Sequence, residues 1–241
     1  MKLSICIPMY NESKIIADTA ASLSNYMEKN FASSGYEIIF SDDGSTDSSR
    51  KIVDSLGLPF VRTVGYEKNR GKGSAVREAV LASSGDIVMF TDADIAYGVD
   101  TISCMIEALD NVPDASIAIG SRNLTGDGYD GYTALRKLAS KAYIKVLNIA
   151  GGLKLSDSQC GCKAYRGPEA KKIFKSCKVD GFAFDFETIL RAQKLGFKII
   201  EVPVKIVNHR ESKINVFRDA FKMLGDLRRI KREIRKEYKA K

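Results

Sequence analysis

The feature that most constrains this chain is the alternation of short apolar segments with helical segments over its first 120 residues. Apolar segments of five or six residues, rich in β-branched and aromatic side chains, predict strands. Strands that alternate with amphipathic helices are typical of an α/β fold with a mostly parallel central sheet flanked by helices. The predicted strands are 3–8, 37–41, 60–64, 87–91 and 116–120, and the predicted helices are 13–30, 45–56, 73–83 and 100–109.

The second half of the chain has a different pattern. Helices are predicted over 132–148 and 184–194, and a strand over 198–204, with a polar, glycine-containing segment over 155–165. No linker or internal repeat separates the halves, so the sequence predicts one domain over residues 1–214.

Residues 215–241 form a second predicted unit, a basic amphipathic helix. Residues 218–241 hold ten Lys/Arg and four Asp/Glu, which is six of the net charge of +8. We expect this helix to contact an anionic membrane surface. The alternative is a helix packed on the domain or a solvated tail. The apolar residues recur every three or four positions: Phe217, Phe221, Leu224, Leu227, Ile230, Ile234 and Tyr238.

Three predicted strands end in polar clusters, at 8–12, 42–47 and 92–94. The carboxyl ends of parallel strands meet at one edge of a sheet, where ligands bind. Carboxylates gathered there repel one another unless a cation joins them. Asp92 and Asp94 therefore predict a site for Mg²⁺ or Mn²⁺ held jointly with substrate phosphates. The alternative for these two residues is a cap for the next helix.

A glycine-rich segment, 69–74, precedes the predicted third helix. Its glycines allow close backbone approach, the helix N-terminus favours anions, and Lys72 adds a positive charge. The segment is neither G-x-G-x-x-G nor a Walker A loop, which disfavours a dinucleotide oxidoreductase and a P-loop NTPase.

Together, the segments 8–12, 42–47, 69–73 and 92–94 resemble glycosyltransferase family 2, which has the GT-A fold. The later motifs resemble the polyprenyl-phosphate branch of that family, which includes dolichyl-phosphate mannose synthases and dolichyl-phosphate glucosyltransferases. The resemblance spans roughly residues 3–230. The later motifs are Gly120-Ser121-Arg122, Arg136 with Ser140, 156–163 and 181–187.

The resemblance implies a role for each matching residue, with Asp92 and Asp94 as the metal ligands. The implied donor-nucleotide residues are Pro8, Tyr10, Glu12, Asp42, Asp43, Lys72 and Asp92. The implied residues for the acceptor phosphate and the sugar are Arg122, Arg136, Ser140, Gln159, Lys163, Asp185 and Glu187. The implied catalytic residues are Asp94, Asp157, Arg122 and Arg136.

Two positions depart from the family pattern. Mannose synthases often carry Gln two residues after the second metal aspartate, where this chain has Ala96, and relatives tend to have an aromatic residue at Cys162. The Gln-Cys-Gly run at 159–161 and Gly71-Lys72-Gly73 look closer to the glucosyltransferases. The resemblance therefore favours UDP-glucose over GDP-mannose as the donor.

The expected reaction is inverting transfer of a sugar from a nucleotide to a polyprenyl or dolichyl phosphate. A phosphate acceptor is already anionic and needs no strong general base, whereas a hydroxyl acceptor does. The alternatives are a family 2 enzyme acting on a sugar or protein hydroxyl, and a sugar nucleotidyltransferase. A nucleic-acid partner is not expected, because the chain before the basic helix is nearly neutral.

The sequence also bears on location. It has no apolar run of 18 residues, its first residues do not resemble a signal peptide, and its five cysteines form no regular framework. We therefore expect a cytoplasmic protein, peripheral on the cytoplasmic face of a membrane.

Overall fold

The structure, a computed structural model, describes residues 1–208 and 216–239, without the side chains of residues 135, 136, 216–224, 238 and 239. Its strands are β1 (Leu3–Met9), β2 (Tyr36–Asp43), β3 (Val61–Tyr66), β4 (Ile87–Thr91), β5 (Ala115–Ser121), β6 (Cys162–Arg166) and β7 (Lys198–Pro203). Its α-helices are α1 (Ile16–Phe31), α2 (Ser49–Ser55), α3 (Lys72–Ala82), α4 (Thr101–Asn111), α5 (Ala134–Gly151), α6 (Gly167–Phe174), α7 (Phe184–Lys194) and α8 (Val216–Lys239). A short 3-10 helix covers Arg122–Leu124.

These strands form a single sheet in the order β3-β2-β1-β4-β6-β5-β7. β1 pairs in parallel with β2 and β4, and β2 pairs in parallel with β3. Only β6 runs against its neighbours among the described strands, because it pairs antiparallel with both β4 and β5. The prediction of a mostly parallel sheet flanked by helices is confirmed.

The sheet separates two apolar cores. Successive side chains of a strand point to opposite faces, so Ile5 and Ile7 contribute to one core and Cys6 to the other. Helices α1 and α4 cover the first face, while α3, α6 and α7 cover the second. Burial on both faces explains why the central strands are almost continuously apolar.

The strand ends that carry the predicted site lie side by side. β1 lies between β2 and β4, and the strand order changes direction there, since β2 and β3 lie on one side and β4 on the other. Ligands of open α/β sheets bind beyond the carboxyl ends of strands at such a point. The residues that follow β1, β2 and β4 therefore share one edge.

Helices α1 and α2 begin later than the sequence pattern predicts, at Ile16 and Ser49. The reason is a network between two loops. Asn11 Oδ1 accepts the backbone N–H of Thr46 at 2.8 Å, and Asp47 accepts the N–H groups of Ser13 and Ser49. These bonds hold residues 45–48 outside the helix.

The second half contains two elements that the sequence pattern does not predict, β6 and α6. β6 overlaps the end of the segment 155–165 and brings Lys163 into the interior of the sheet. The Lys163 ammonium group is fully buried and pairs with Asp185. A charged residue in a central strand breaks the apolar signal by which strands are recognised from sequence.

Helix α8 corresponds to the predicted C-terminal helix, but its described apolar residues do not face outward. Leu227, Ile230 and Ile234 are buried in the second core. The packed-helix alternative therefore holds for these three side chains, and contact of residues 215–241 with a membrane stays a prediction. The boundary at residue 214 lies outside the described residues, as do the side chains of Phe217, Phe221, Leu224 and Tyr238.

The carboxylate of Glu37 ties three segments together at the other end of the sheet. Oε1 accepts hydrogen bonds from Ser4 and Ser84, and Oε2 pairs with Arg62 at 3.0 Å. Burial alone would raise the pKa of Glu37, but these hydrogen bonds outweigh it and lower the pKa to about 2.

We predict that Glu37→Gln lowers the free energy of unfolding by about 2 kcal/mol at pH 7, because buried donors lose a charged acceptor. The folded-state pKa lies below the ordinary value, so this contribution is present above about pH 4.5 and is lost as the pH falls towards 2. Urea unfolding at pH 7 and pH 3 measures both effects. The exposed Glu107→Gln is the control, and an equal loss of stability in both variants would contradict this role for Glu37.

Candidate active site

The loop 69–71 is held by the carboxylate of Asp43 at the end of β2. The backbone N–H groups of Arg70 and Gly71 donate to Asp43 at 2.9–3.0 Å, and Asn69 Nδ2 donates to Asp43 Oδ2 at 2.9 Å. Tyr66 donates its hydroxyl to Oδ1 at 2.7 Å. Gly71 has φ of 120°, a conformation that favours glycine. Asp43 thus fixes the loop that leads into α3.

The next residue, Lys72, connects this loop to the end of β4. Its Nζ lies 2.5 Å from Asp92 Oδ1, and the Asp92 side chain is one-third exposed. Burial alone would lower the pKa of Lys72, but the carboxylates of Asp92, Asp185 and Asp94 together raise it. Lys72 therefore carries its charge at neutral pH, and it compensates Asp92.

Gly161 lies against the other side of Asp92. A Cβ atom at this position would overlap Asp92 Oδ2. The carboxylate is therefore confined between the Lys72 ammonium group and the backbone of the segment before β6. The run Gln159-Cys160-Gly161 has its glycine where the close approach of Asp92 requires one.

Asp94 follows in the turn after β4, and its Oδ1 accepts the N–H of Ala96 at 3.2 Å. Ala96 in turn accepts the backbone N–H of Val207 through its carbonyl oxygen, which packs the chain after β7 against this turn. No group of three or more His, Cys, Asp or Glu suited to a metal occurs among the described residues. Asp92 and Asp94 are hard oxygen donors, which suits a cation whose other ligands come from a diphosphate and water.

The loop after β1 is joined to the loop after β2 through Asn11. Asn11 has φ of 53°, and its N–H donates to Ser45 Oγ at 3.0 Å. Glu12 donates its N–H to Ser49 Oγ at 2.7 Å. Tyr10 is 40% exposed, whereas Pro8 is buried inside β1. Pro8 therefore shapes the strand, while Tyr10 and Glu12 lie in the loop at the edge.

A pocket of about 370 Å³ lies beyond the ends of β2 and β3. Asp42 lies at its inner side, with Oδ1 accepting the N–H of Ser45 at 3.1 Å. Tyr66 and Arg50 line its walls, and the Arg70 guanidinium stacks on the Tyr66 ring at 4.4 Å. The pocket combines aromatic, acidic and basic groups next to the loop that Asp43 holds.

Arg122, which directly follows β5, forms a buried ion pair with Asp157. Its Nε and Nη2 atoms contact the two carboxylate oxygens at 2.6 and 3.0 Å. Nη1 lies 3.4 Å from the Tyr132 hydroxyl, and the guanidinium stacks 4.9 Å from the centre of the Tyr129 ring. Two of its three nitrogens are therefore committed to Asp157. Gln159 donates its N–H to the same carboxylate at 3.3 Å.

Lys163 and Asp185 form a second buried ion pair. Lys163 also donates to the carbonyl oxygen of Cys160 at 2.8 Å. Burial raises the pKa of Asp185, and the cations of Lys163 and Lys72 counteract part of that rise. Because Lys72 contacts Asp92, the two carboxylates of Asp92 and Asp185 belong to one network of charges.

The structure places Glu187 away from this network. Its carboxylate is fully buried, accepts the N–H groups of Lys178 and Val179 at 2.8–3.1 Å, and pairs with Arg191 at 2.9 Å. Through these contacts, Glu187 fixes the backbone of the segment before α7. The expected role of Glu187 towards the acceptor stays a prediction.

Two predicted acceptor residues lie on α5. Ser140 is half-buried, one turn after Arg136. The side chain of Arg136 lies outside the described residues, so its role stays a prediction.

Several residues that shape the site were missing from the sequence prediction. Tyr66, Asn69 and Gly161 position Asp43 or Asp92, and Tyr129 and Tyr132 surround Arg122. The glycine after Cys160 and the tyrosines before α5 are visible in the sequence. Their contribution to the site could not be predicted, because it depends on contacts between segments that are far apart along the chain.

The sequence profile of glycosyl transferase family 2 matches residues 4–174. The chain belongs to glycosyl transferase family 2. The match covers the strand ends that carry Asp43, Asp92 and Asp94 and the ion pair of Arg122 with Asp157.

Named relatives within the family match most of this chain. It is 32% identical to the dolichyl-phosphate beta-glucosyltransferase ALG5C of Trichomonas vaginalis, over 87% of this chain and 65% of that protein. It is 31% identical to the dolichyl-phosphate beta-glucosyltransferase of Dictyostelium discoideum, over 95% and 73%. The human dolichyl-phosphate beta-glucosyltransferase is 29% identical, over 94% and 74%. The chain thus spans between 65% and 74% of the length of these relatives.

Solved structures of two sugar-transferring synthases share the fold. Glucosyl-3-phosphoglycerate synthase from Mycobacterium tuberculosis, in complex with Mn²⁺, UDP-glucose and phosphoglyceric acid, has a TM-score of 0.71 at 21% identity, covering 94% of this chain and 79% of its own. Mannosyl-3-phosphoglycerate synthase from Rubrobacter xylanophilus has a TM-score of 0.69 at 17% identity, covering 99% and 75%. The likeness shows that this glycosyltransferase has the GT-A fold.

We predict that Gly161→Ala lowers kcat/KM about 100-fold, because the added methyl group displaces the Asp92 carboxylate from its position. Steady-state kinetics of sugar transfer measure the effect. The control is Gly126→Ala, where a Cβ meets no atom within 4 Å. Full activity in a folded Gly161→Ala protein would show that the position of Asp92 does not matter.

Proposed function

We propose that this glycosyltransferase transfers glucose from UDP-glucose to the phosphate of a dolichyl or other polyprenyl phosphate, with inversion of the anomeric carbon. The named relatives that match most of the chain are dolichyl-phosphate beta-glucosyltransferases, which supports both the sugar and the acceptor. The charge arrangement of the second half of the chain supports an anionic acceptor independently of those names.

The observation that carries the proposal is the pairing of Asp157 and Asp185 with buried cations. Asp157 contacts Arg122 through both oxygens, and Asp185 contacts Lys163. Both oxygens of Asp157 already accept hydrogen bonds from Arg122, so this carboxylate has no free oxygen with which to take a proton from an acceptor hydroxyl. Transfer to a hydroxyl needs a base, but transfer to a phosphate does not. This site therefore suits an acceptor that is already anionic.

The donor nucleotide fits the other side of the site. We place the nucleoside in the pocket lined by Asp42 and Tyr66, next to the loop after β1 that contains Tyr10 and Glu12. The diphosphate then lies over the loop that Asp43 holds, near Lys72 and the N-terminus of α3, where backbone N–H groups favour anions. This placement puts the bond to the sugar close to Asp92.

We further propose that Asp92 and Asp94 hold Mg²⁺ or Mn²⁺. When bound, such an ion neutralises the negative charge that develops on the departing diphosphate. Lys72 compensates Asp92 in the structure, at 2.5 Å. When another cation takes over that compensation, Lys72 can turn its ammonium group to the diphosphate. The Mn²⁺ and UDP-glucose bound to the Mycobacterium tuberculosis relative support this arrangement.

The acceptor phosphate is proposed to lie near Arg122, Arg136 and Ser140. Asp157 fixes the Arg122 guanidinium through Nε and Nη2, so Nη1 is the atom that can reach a phosphate oxygen. Arginine suits this task because its planar group binds phosphate in a defined direction. The lipid part of the acceptor places the reaction at a membrane, and no described helix has the length and apolar character needed to cross one. We propose that the protein works there as a peripheral protein on the cytoplasmic face.

The proposal predicts label transfer to lipid when UDP-[¹⁴C]glucose is incubated with the protein, Mn²⁺ and a short-chain polyprenyl phosphate. UDP-N-acetylglucosamine and GDP-mannose are expected to give far less product, and the glucosyl phosphate is expected to be the β anomer by NMR. The polyprenol without its phosphate is the matched control acceptor and is expected to give none.

Two results would contradict the proposal. If GDP-mannose is the preferred donor, the transferred sugar is mannose and the assignment of glucose is wrong. Equal transfer to the polyprenol and its phosphate would show that the enzyme acts on hydroxyls and uses a base.

A further inference from the structure

Helix α5 exposes a row of large apolar side chains. Leu138 is 67% exposed, Val146 is 42% exposed and Ile149 is 76% exposed. With the exposed Ala142, they lie three or four residues apart, so they form one stripe along the helix. The inner face of the same helix is buried through Ile144 and Leu147. Isolated exposed apolar residues are ordinary, but a continuous stripe marks an interaction surface.

The same helix is uniformly basic. Residues 134–151 include four Lys or Arg and no Asp or Glu. Lys141 and Lys145 are exposed beside the stripe, and Lys137 lies one turn earlier. An apolar stripe flanked by cations on one helix is the arrangement that binds in the plane of an anionic bilayer surface.

Helix α8 adds further positive charge next to α5. Lys231 donates to the carbonyl oxygen of Ala150, and a groove of about 370 Å³ between the helices is lined by Val146, Arg228 and Gly225. Because the apolar stripe of α8 is buried, the opposite face of this helix, which is basic, is exposed to solvent. Among the described side chains of α8, the exposed cations are Arg228, Arg229, Lys231, Arg232, Arg235 and Lys236.

This surface begins at the proposed acceptor site. Tyr132, which lies 3.4 Å from Arg122, comes two residues before α5, and Arg136 and Ser140 are on its first turns. An 18-residue helix is about 27 Å long, so the stripe runs from the acceptor site across the surface of the protein.

We propose that the exposed stripe of α5, with the cations of α5 and α8 on either side, docks the protein on an anionic bilayer. The α5–α8 surface is defined here by Leu138, Ala142, Val146, Ile149 and the exposed cations named above. The apolar side chains enter the boundary between head groups and acyl chains, and the cations meet the lipid phosphates. This inference rests on the proposed function only in that docking brings a lipid-borne phosphate to Arg122.

Charge complementarity favours a bilayer over a second copy of this chain on the same surface. Two copies that met through α5 in a symmetric dimer would bring lysines against lysines, with no carboxylate on the helix to compensate them. An anionic membrane compensates every cation of the surface at once.

The first test uses tryptophan fluorescence, because the chain contains no Trp. We expect the emission of Ile149→Trp to shift to the blue when vesicles with 30% phosphatidylserine are added to the full chain. The control Phe60→Trp, at an exposed site beside Tyr36 of the first core, is expected not to shift. No shift at residue 149 although the protein sediments with the vesicles would overturn the proposal.

The second test measures sedimentation with the same vesicles. The double variant Leu138→Ser, Ile149→Ser is expected to lower the partition coefficient about tenfold, since two large apolar contacts are lost. Lys141→Glu with Lys145→Glu is expected to abolish the preference for phosphatidylserine over phosphatidylcholine vesicles. The control pair Leu56→Ser, Phe60→Ser removes exposed apolar groups from the segment between α2 and β3 and is expected to bind like wild type.

The outcomes separate this inference from the proposed function. Both α5 variants are expected to keep wild-type activity on a water-soluble, short-chain polyprenyl phosphate and to lose activity on the vesicle-bound acceptor. Unchanged sedimentation of the α5 variants, or a change only in their oligomeric state, would overturn membrane docking whatever the enzyme transfers. Absence of transfer by the wild type to either acceptor would overturn the proposed function and leave the sedimentation result intact.

Discussion

The structure depends on one connection at the edge of the sheet, the loop 69–72 between Asp43 and Asp92. Asp43 binds the backbone of the loop through the N–H groups of Arg70 and Gly71, and Lys72 at its end pairs with Asp92 at 2.5 Å. Without the cation, Asp92 would lie near Asp185 and Asp94 with no compensation, which is costly in a partly buried site. The same loop therefore compensates the charge of Asp92 and forms the proposed binding site for the diphosphate.

The second half of the chain supports the site with buried ion pairs rather than with free acids. Arg122 with Asp157 and Lys163 with Asp185 both lie in the interior. Such pairs add little net stability compared with apolar packing, but loss of one partner leaves a buried charge and is strongly destabilising. They fix the orientation of the groups around the acceptor. In the first pair, both oxygens of Asp157 already accept hydrogen bonds from Arg122, an arrangement that favours the proposed phosphate acceptor over a hydroxyl.

The strand and helix rhythm of the first 120 residues was enough to predict the parallel sheet and the edge where Asp43, Asp92 and Lys72 meet. The sequence could not reveal β6, because Lys163 interrupts its apolar pattern and is explained only by Asp185, which lies 22 residues later. Glu187 lies two residues after Asp185, but its carboxylate binds the backbone of the segment before α7. This difference arises from tertiary contacts, which the sequence pattern does not show. Periodicity predicts a helix in the region of α8, but it does not say whether an apolar stripe meets a bilayer or the protein itself. In the structure, that stripe packs inward, and α5 is the helix that exposes one.

The most direct test of the central claim is metal-dependent nucleotide binding by isothermal titration calorimetry. Wild type and the control Asp110→Asn, changed at an exposed residue of α4, are expected to bind UDP at least about tenfold more tightly with Mn²⁺ than without it. Asp92→Asn is expected to lose that difference while it remains folded. If Asp92→Asn binds UDP with the same dependence on Mn²⁺ as wild type, Asp92 does not hold the metal and the account of the site is wrong.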